Sequence, residues 1–337
     1  MDLERLLPRL TVLHDRIRSR VGAALARGAA ARGDDPSAEE ARVAEEGAGD
    51  VTFAIDVPAE EEVDRFAEEL AREIPLAVVS EGTGFRTYGR GDPAGRIVVD
   101  PIDGTRNLSH DMRSGWVLTA LAEERGEETS LRHVRACVQS ELPCLDRRSA
   151  EVLTAVRGGG VRRVRKDLGT GRESGARAIV APERVPLDHG FFVFFKFSPE
   201  DRRAIAGIEE EFLRRLCDER GADRRTLYDD QYICNAGQLH LLATRRYRFV
   251  CDLRGVVGDA LGVRNVTSKP YDVCCALIAE EAGCPLVRPD GSAFDPPLDV
   301  EHRISFAAYA NEATRAALEP LLRDALDRFL AASGGGG

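Results

Sequence analysis

The stretch RIVVDPIDGTRNLSH, residues 96–110, joins two features that rarely meet. Ile97, Val98 and Val99 form an apolar run typical of a buried strand, and the run stops on Asp100, with Pro101 and Asp103 close behind. Pro101 fixes φ near −65° and has no N–H for a ladder, while Gly104 can complete a turn that other residues would strain. Both carboxylates therefore point into one small volume. At about 4 Å and an effective dielectric near 20 they would repel by roughly 4 kcal/mol, so the turn calls for a cation or a proton. Mg²⁺ suits such donors, because it takes oxygen ligands at roughly 2.0–2.1 Å and is usually held by one or two carboxylates plus waters or phosphate. Gly104 and Thr105 add backbone N–H groups and a hydroxyl that can hold a phosphate. Spacing alone also permits a plain Asx turn with two solvated aspartates.

The 337 residues, 43% of them hydrophobic, suffice for one large or two ordinary domains with a sizeable core. A net charge of −10 argues against nucleic acid as the main partner, and an anionic ligand would then need cations placed locally. The chain has no run of about 18 apolar residues and is charged from Asp2 onward, so neither a membrane span nor a signal peptide is expected. The expected location is cytoplasmic. Eight cysteines without a CxxC pair suit reduced, buried thiols.

Helical spacing of Leu10, Leu13, Ile17, Val21 and Ala24 predicts a helix over residues 2 to about 28, followed by an Ala-, Gly- and Glu-rich loop or frayed helix. Val63, Phe66, Ala67, Leu70 and Ile74 predict a second helix over 58–74. Short apolar or alternating runs at 76–79, 96–102, 115–123, 133–142, 150–157 and 176–181 then predict a largely antiparallel sheet of about six strands. VRRVRK, residues 161–166, reads as a basic strand or turn edge, and RGGG and LGTGRESG read as loops. Beyond APERVPLDHG (181–190), strands at 191–197, 247–253 and 304–310 alternate with helices at 199–219, 233–246 and 271–282 and a closing helix. The expected fold class is α+β with an α/β second half. The expected division is an N-terminal domain over 1–185, a C-terminal domain over 186–333 and a glycine tail at 334–337.

The string DPIDGT resembles the signature of the inositol monophosphatase-like phosphatases, the superfamily that includes fructose-1,6-bisphosphatases and bisphosphate nucleotidases. Three other segments resemble the family in order and rough spacing: GDVTFAID ending on Asp56, LAVVSEGTG carrying Glu81, and KPYDVCCALIAEEAG carrying Tyr271 and Asp272. The resemblance covers roughly residues 40–325 and implies a layered αβαβα fold. It implies two or three Mg²⁺ ions held by Glu81, Asp100, the Ile102 carbonyl, Asp103 and Asp272. It further implies catalytic roles for Glu81, Thr105 and Asp56, with Thr105 orienting the attacking water, and phosphate or substrate binding by Asp103, Gly104, Thr105 and Arg106. A homodimer, Li⁺ sensitivity and a small phosphorylated metabolite as substrate follow from the resemblance as well.

Bland readings stand beside these. Glu81 could be an ordinary acid at a strand end, Asp272 a helix N-cap, and Asp56 a cap before Pro58. Arg106 replaces the small polar residue many relatives carry, and with Arg113 it could grip a second anionic group or pair with a neighbouring acid. The segment at 254–268 is longer than in relatives and leaves the substrate-reading residues unassigned. The expected activity is Mg²⁺-dependent hydrolysis of a phosphomonoester such as an inositol or sugar phosphate. Alternatives are a fructose-1,6-bisphosphatase, a 3′(2′),5′-bisphosphate nucleotidase, or a catalytically silent member that binds a phosphorylated ligand or a protein and regulates.

Overall fold

The computed structural model describes residues 2–32, 43–46, 51–180 and 182–334. Helix α1 (Leu3–Arg32) runs a little past the predicted end near residue 28. The stretch read as a loop contains a strand, β1 (Val43–Glu46), paired antiparallel with β2 (Val51–Phe53). The rest of that stretch, and the glycine tail beyond Gly334, lie outside the described residues. Helix α2 (Val57–Ala71) follows, with proline in its first turn.

An eight-stranded sheet comes next: β3 (Leu76–Ser80), β4 (Gly84–Tyr88), β5 (Arg96–Asp103), β6 (Gly115–Ala122), β7 (Val134–Leu142), β8 (Ser149–Val156), β9 (Gly160–Asp167) and β10 (Glu173–Ile179). Its order is β10-β9-β8-β7-β6-β5-β3-β4, antiparallel except for the parallel β3–β5 pair. A short helix, α3 (Thr105–Ser109), connects β5 to β6. The sheet exceeds the expected six strands by β4 and β9: β4 is a mostly exposed edge that needs no apolar face for periodicity to detect, and β9 alternates cations with apolar residues. The expected run at 176–181 is β10, the other edge, which begins earlier, inside LGTGRESG, read as a loop. VRRVRK is β9, a strand in the sheet rather than a turn. Three of its four cations are neutralised at home: Arg163 pairs with Glu151, Arg162 with Glu173 and Lys166 with Asp15.

The second half supplies β11 (Gly190–Phe194), α4 (Pro199–Arg220), β12 (Leu227–Tyr228), α5 (Asn235–Ala243), β13 (Tyr247–Asp252), α6 (Arg254–Leu261), α7 (Leu277–Glu281), β14 (Leu286–Val287), β15 (Phe306–Tyr309) and α8 (Glu312–Gly334). Its sheet has the order β12-β11-β13-β15-β14. The segment at 254–268 thus holds helix α6, and the predicted helix over 271–282 is a 3₁₀ turn at Tyr271–Val273 followed by α7.

Five layers result. Leu10, Leu13 and Ile17 of α1 and Val63 and Phe66 of α2 pack on one face of the large sheet, against Ile97, Val99, Val117 and Val138. The other face, with Val98, Leu118 and Leu153, meets Leu239 and Leu242 of α5 and Ile278 of α7, which also cover Val193, Val250 and Phe306 of the small sheet. Phe192, Phe194 and Phe249 then turn to Ile205 and Phe212 of α4 and Leu318 and Leu322 of α8. Strand β5 is buried at all eight positions, with successive residues feeding different cores, and so its apolar run shows no alternation. No helix among the described residues is long and apolar enough to cross a membrane. All eight thiols are free, and six are buried.

His14 ties α1 to the sheet. It is fully buried, with Nδ1 2.8 Å from Ser140 Oγ and Nε2 2.8 Å from Thr119 Oγ1. Burial, helped by the nearby Arg18 charge, lowers its pKa to about 3. The folded state therefore keeps His14 neutral while the unfolded chain takes up a proton below pH 6.5, so stability falls as pH drops from 6.5 toward 3. Between pH 7 and 5 the wild type should lose about 2 kcal/mol more than a His14→Gln variant in urea unfolding. Parallel pH profiles for the two proteins would refute this.

Candidate active site

The site begins where β5 loses its register. Asp100 pairs with Leu118 and Asp103 with Trp116, so β5 spends one residue more than β6 across the gap, a bulge at the place where Pro101 has no N–H to donate. Asp100 Oδ1 accepts the Ile102 N–H at 3.0 Å, which is an Asx turn, yet both aspartates are buried rather than solvated. Gly104 follows at φ 94°, and a Cβ there would stand 3.0 Å from the Cys234 Cβ. Backbone conformation and space both require glycine at this point.

Thr105 opens α3. Its hydroxyl lies 3.0 Å from Asp56 Oδ1 and 2.8 Å from the Ile102 carbonyl, so its one proton faces two acceptors while its lone pairs remain for a donor. Asp56 stands at the N-cap of α2, but its side chain makes no capping bond and reaches Thr105 instead. Asp103 accepts the N–H groups of Asn235 and Ala236 at the start of α5, a favourable end of the helix for a carboxylate. Asp272 accepts the Lys269 N–H at 2.8 Å, so it does serve its local turn while also lining the pocket.

One small polar pocket of about 70 Å³ gathers these residues: Glu81, Asp100, Ile102, Asp103 and Asp272 with Gly104, Thr105 and Arg106. Asp56 is joined to it through Thr105. Burial first, then the charges of Glu81, Asp103 and Asp272, push the Asp100 carboxyl well above the usual carboxylate range. Burial raises Asp103 to about 6, against the pull of the α5 amides, the Cys234 thiol and Arg254. The four acids thus repel one another across a buried space that favours a cation. Among the described residues no three acidic, histidine or cysteine side chains form a ready-made metal cage. Hard oxygen donors that share a pocket without closing on one another fit Mg²⁺, which fills its remaining positions with water or phosphate oxygen.

Several residues of the pocket carry no sequence signal. Glu60 on α2 accepts the Ser80 hydroxyl and the Gly82 N–H, bracing the turn that carries Glu81 from both sides. Arg254 forms a buried bidentate pair with Asp252, donates to Ser268 Oγ and the Val266 carbonyl, and lies 4.0 Å from the Phe195 ring centre and 4.8 Å from that of Phe197. With Asn235 and Thr267, these aromatic and basic groups form the outer wall. Arg106 lines the pocket and lies over Phe197. Arg113 lies elsewhere. It is held by Asp230 and covers the Tyr232 ring, so the suggested grip of Arg113 on a second anion is withdrawn.

The five layers are the αβαβα fold that the sequence resemblance implies. Solved structures of that fold align over nearly the whole chain. Fructose-1,6-bisphosphatase of Leishmania major in its holo form has a TM-score of 0.66 at 15% identity, covering 94% of each chain. Extragenic suppressor protein suhB of Bartonella henselae has a TM-score of 0.61 at 19% identity, covering 93% of this chain and 98% of its own. The Thermotoga maritima IMPase has a TM-score of 0.58 at 17% identity, covering 96% of this chain and 99% of its own. No protein-family model matches the sequence, and no curated protein matches it. At these identities the likeness establishes the fold.

Proposed function

We propose that the protein is a Mg²⁺-dependent phosphomonoesterase acting on a small phosphorylated metabolite such as an inositol or sugar phosphate. The observation that carries this reading is the convergence of four carboxylates from three separate segments on the pocket that also holds Thr105 and Gly104. Glu81, Asp100, the Ile102 carbonyl, Asp103 and Asp272 would hold two or three ions, whose charge stabilises the attacking and leaving oxygens and makes water more acidic. Thr105, its proton directed to Asp56 or the Ile102 carbonyl, offers a lone pair that orients the attacking water. The N–H groups of Gly104 and Thr105 bind phosphate oxygens, and Arg106 supplies a fixed positive charge beside them. These groups act by position and charge, which dominate phosphoryl transfer.

Arg106, which lines the pocket and lies over Phe197, favours a substrate that carries an anionic group beyond the scissile phosphate, as a bisphosphate does. A cytoplasmic homodimer is part of the same reading. Phosphate release from a panel of inositol, sugar and nucleotide phosphates, with Mg²⁺ and again with EDTA, tests it. The expected result is release from at least one member that EDTA abolishes and added Mg²⁺ restores. Mg²⁺ binding without release from any member would favour a silent regulator.

A further inference from the structure

A second cavity, of about 460 Å³, lies between strands β6 to β9 and helix α5 with its flanking loops, a volume within the range of small-molecule sites. Its acids are already engaged. Glu141 accepts the Ser114 hydroxyl at 2.7 Å and the Glu151 N–H at 3.0 Å. Glu151 is held by Arg163 and by His240 Nε2 at 3.1 Å, and Asp230 by both terminal nitrogens of Arg113 and by the Tyr247 hydroxyl.

Its cations are not all engaged. Arg147 and Arg246 line the cavity and form no ion pair or side-chain hydrogen bond among the described residues. Arg165 comes only within 3.9 Å of Glu151. His240, 5% exposed, lies in the wall with its ring centre 4.8 Å from that of Trp116 and tilted by 38° to it. Four arginines against three acids line the cavity, in a chain whose net charge is −10.

We propose that this cavity is a second anion site, distinct from the acidic pocket, that takes a small multiply charged oxyanion of the phosphate-ester class. The two pockets share no lining residue and adjoin along one short passage of chain: Tyr232 lines the cavity, whereas Ile233, Cys234 and Asn235 line the acidic pocket. Arg147 and Arg246 bind the anion.

Trp116 is the only tryptophan in the chain and stands in the cavity wall, so its fluorescence reports occupancy directly. The full chain would be titrated with inorganic pyrophosphate in the presence of EDTA at constant ionic strength, with calorimetry alongside. The expected result is a saturable signal, weakened at least tenfold in an Arg147→Ala/Arg246→Ala double variant and changed less than twofold by Asp100→Asn. Both arginines are exposed, so the double variant keeps its fold, which circular dichroism checks. Absence of saturable binding by both methods, equal binding by the double variant, or loss of binding with Asp100→Asn would each overturn the proposal. None of these readouts depends on the chain being a phosphatase, so the second site can fail while the phosphatase reading stands.

Discussion

Asp100→Asn should leave the protein folded, raise its Tm in EDTA by a few degrees, and lower phosphate release by at least about 10³-fold. The loss corresponds to roughly 4 kcal/mol of transition-state stabilisation. The gain in stability and the loss of activity have one cause. Asp100 is 1% exposed and faces the charges of Glu81, Asp103 and Asp272, so without a cation its ionised form opposes folding. Asparagine keeps the shape and removes the repulsion, but it also removes the buried negative oxygen on which the proposed cation site depends. Thermal melts with and without Mg²⁺ separate the two effects. At Mg²⁺ about 100-fold above its dissociation constant the wild type should gain about 2.7 kcal/mol, and the variant should lose most of that gain. An equal Mg²⁺ shift in the two proteins would show that the metal is held elsewhere.

Arg254→Ala is expected to be the most destabilising single change at the site, at about 3–5 kcal/mol, because it strands a carboxylate in the core. Asp252 is 0% exposed, and Arg254, at 3%, supplies both of its guanidinium contacts. A second change should repair most of the damage. An Asp252→Asn/Arg254→Met double variant removes the pair as a unit, keeps an apolar side chain between Phe195 and Phe197, and should return to within about 1–2 kcal/mol of the wild type in urea unfolding. A double variant no more stable than Arg254→Ala would place the main contribution in the stacking on the two rings rather than in the ion pair.

The two variants probe features of unequal visibility in the sequence. Asp100 announces itself, since an apolar run ending in DPIDGT joins a strand, a turn and two carboxylates within a few residues, and local stereochemistry alone ties them together. Glu81 and Asp272 are legible only through resemblance, as each could equally be a common surface acid or a helix cap. Asp56 too is legible only through resemblance, since locally it could equally be a cap before Pro58, and the fold turns its side chain to Thr105. Glu60 and Arg254 are invisible: one is an acid among acids on α2, and the other opens a segment that periodicity does not resolve.

By itself the sequence determined the buried double-faced strand β5, its break at Pro101, the glycine that the turn demands, and the amphipathic helices, because each depends on neighbours within one turn or one strand. Only the tertiary structure decided which acids share a pocket, which cations are consumed by partners such as Asp230 and Asp252, and which, like Arg147 and Arg246, are left facing a cavity. The reason is physical. Charge interactions act through space, and the pairings that set them are made across sheets and layers between segments far apart in the chain, where no local spacing records them.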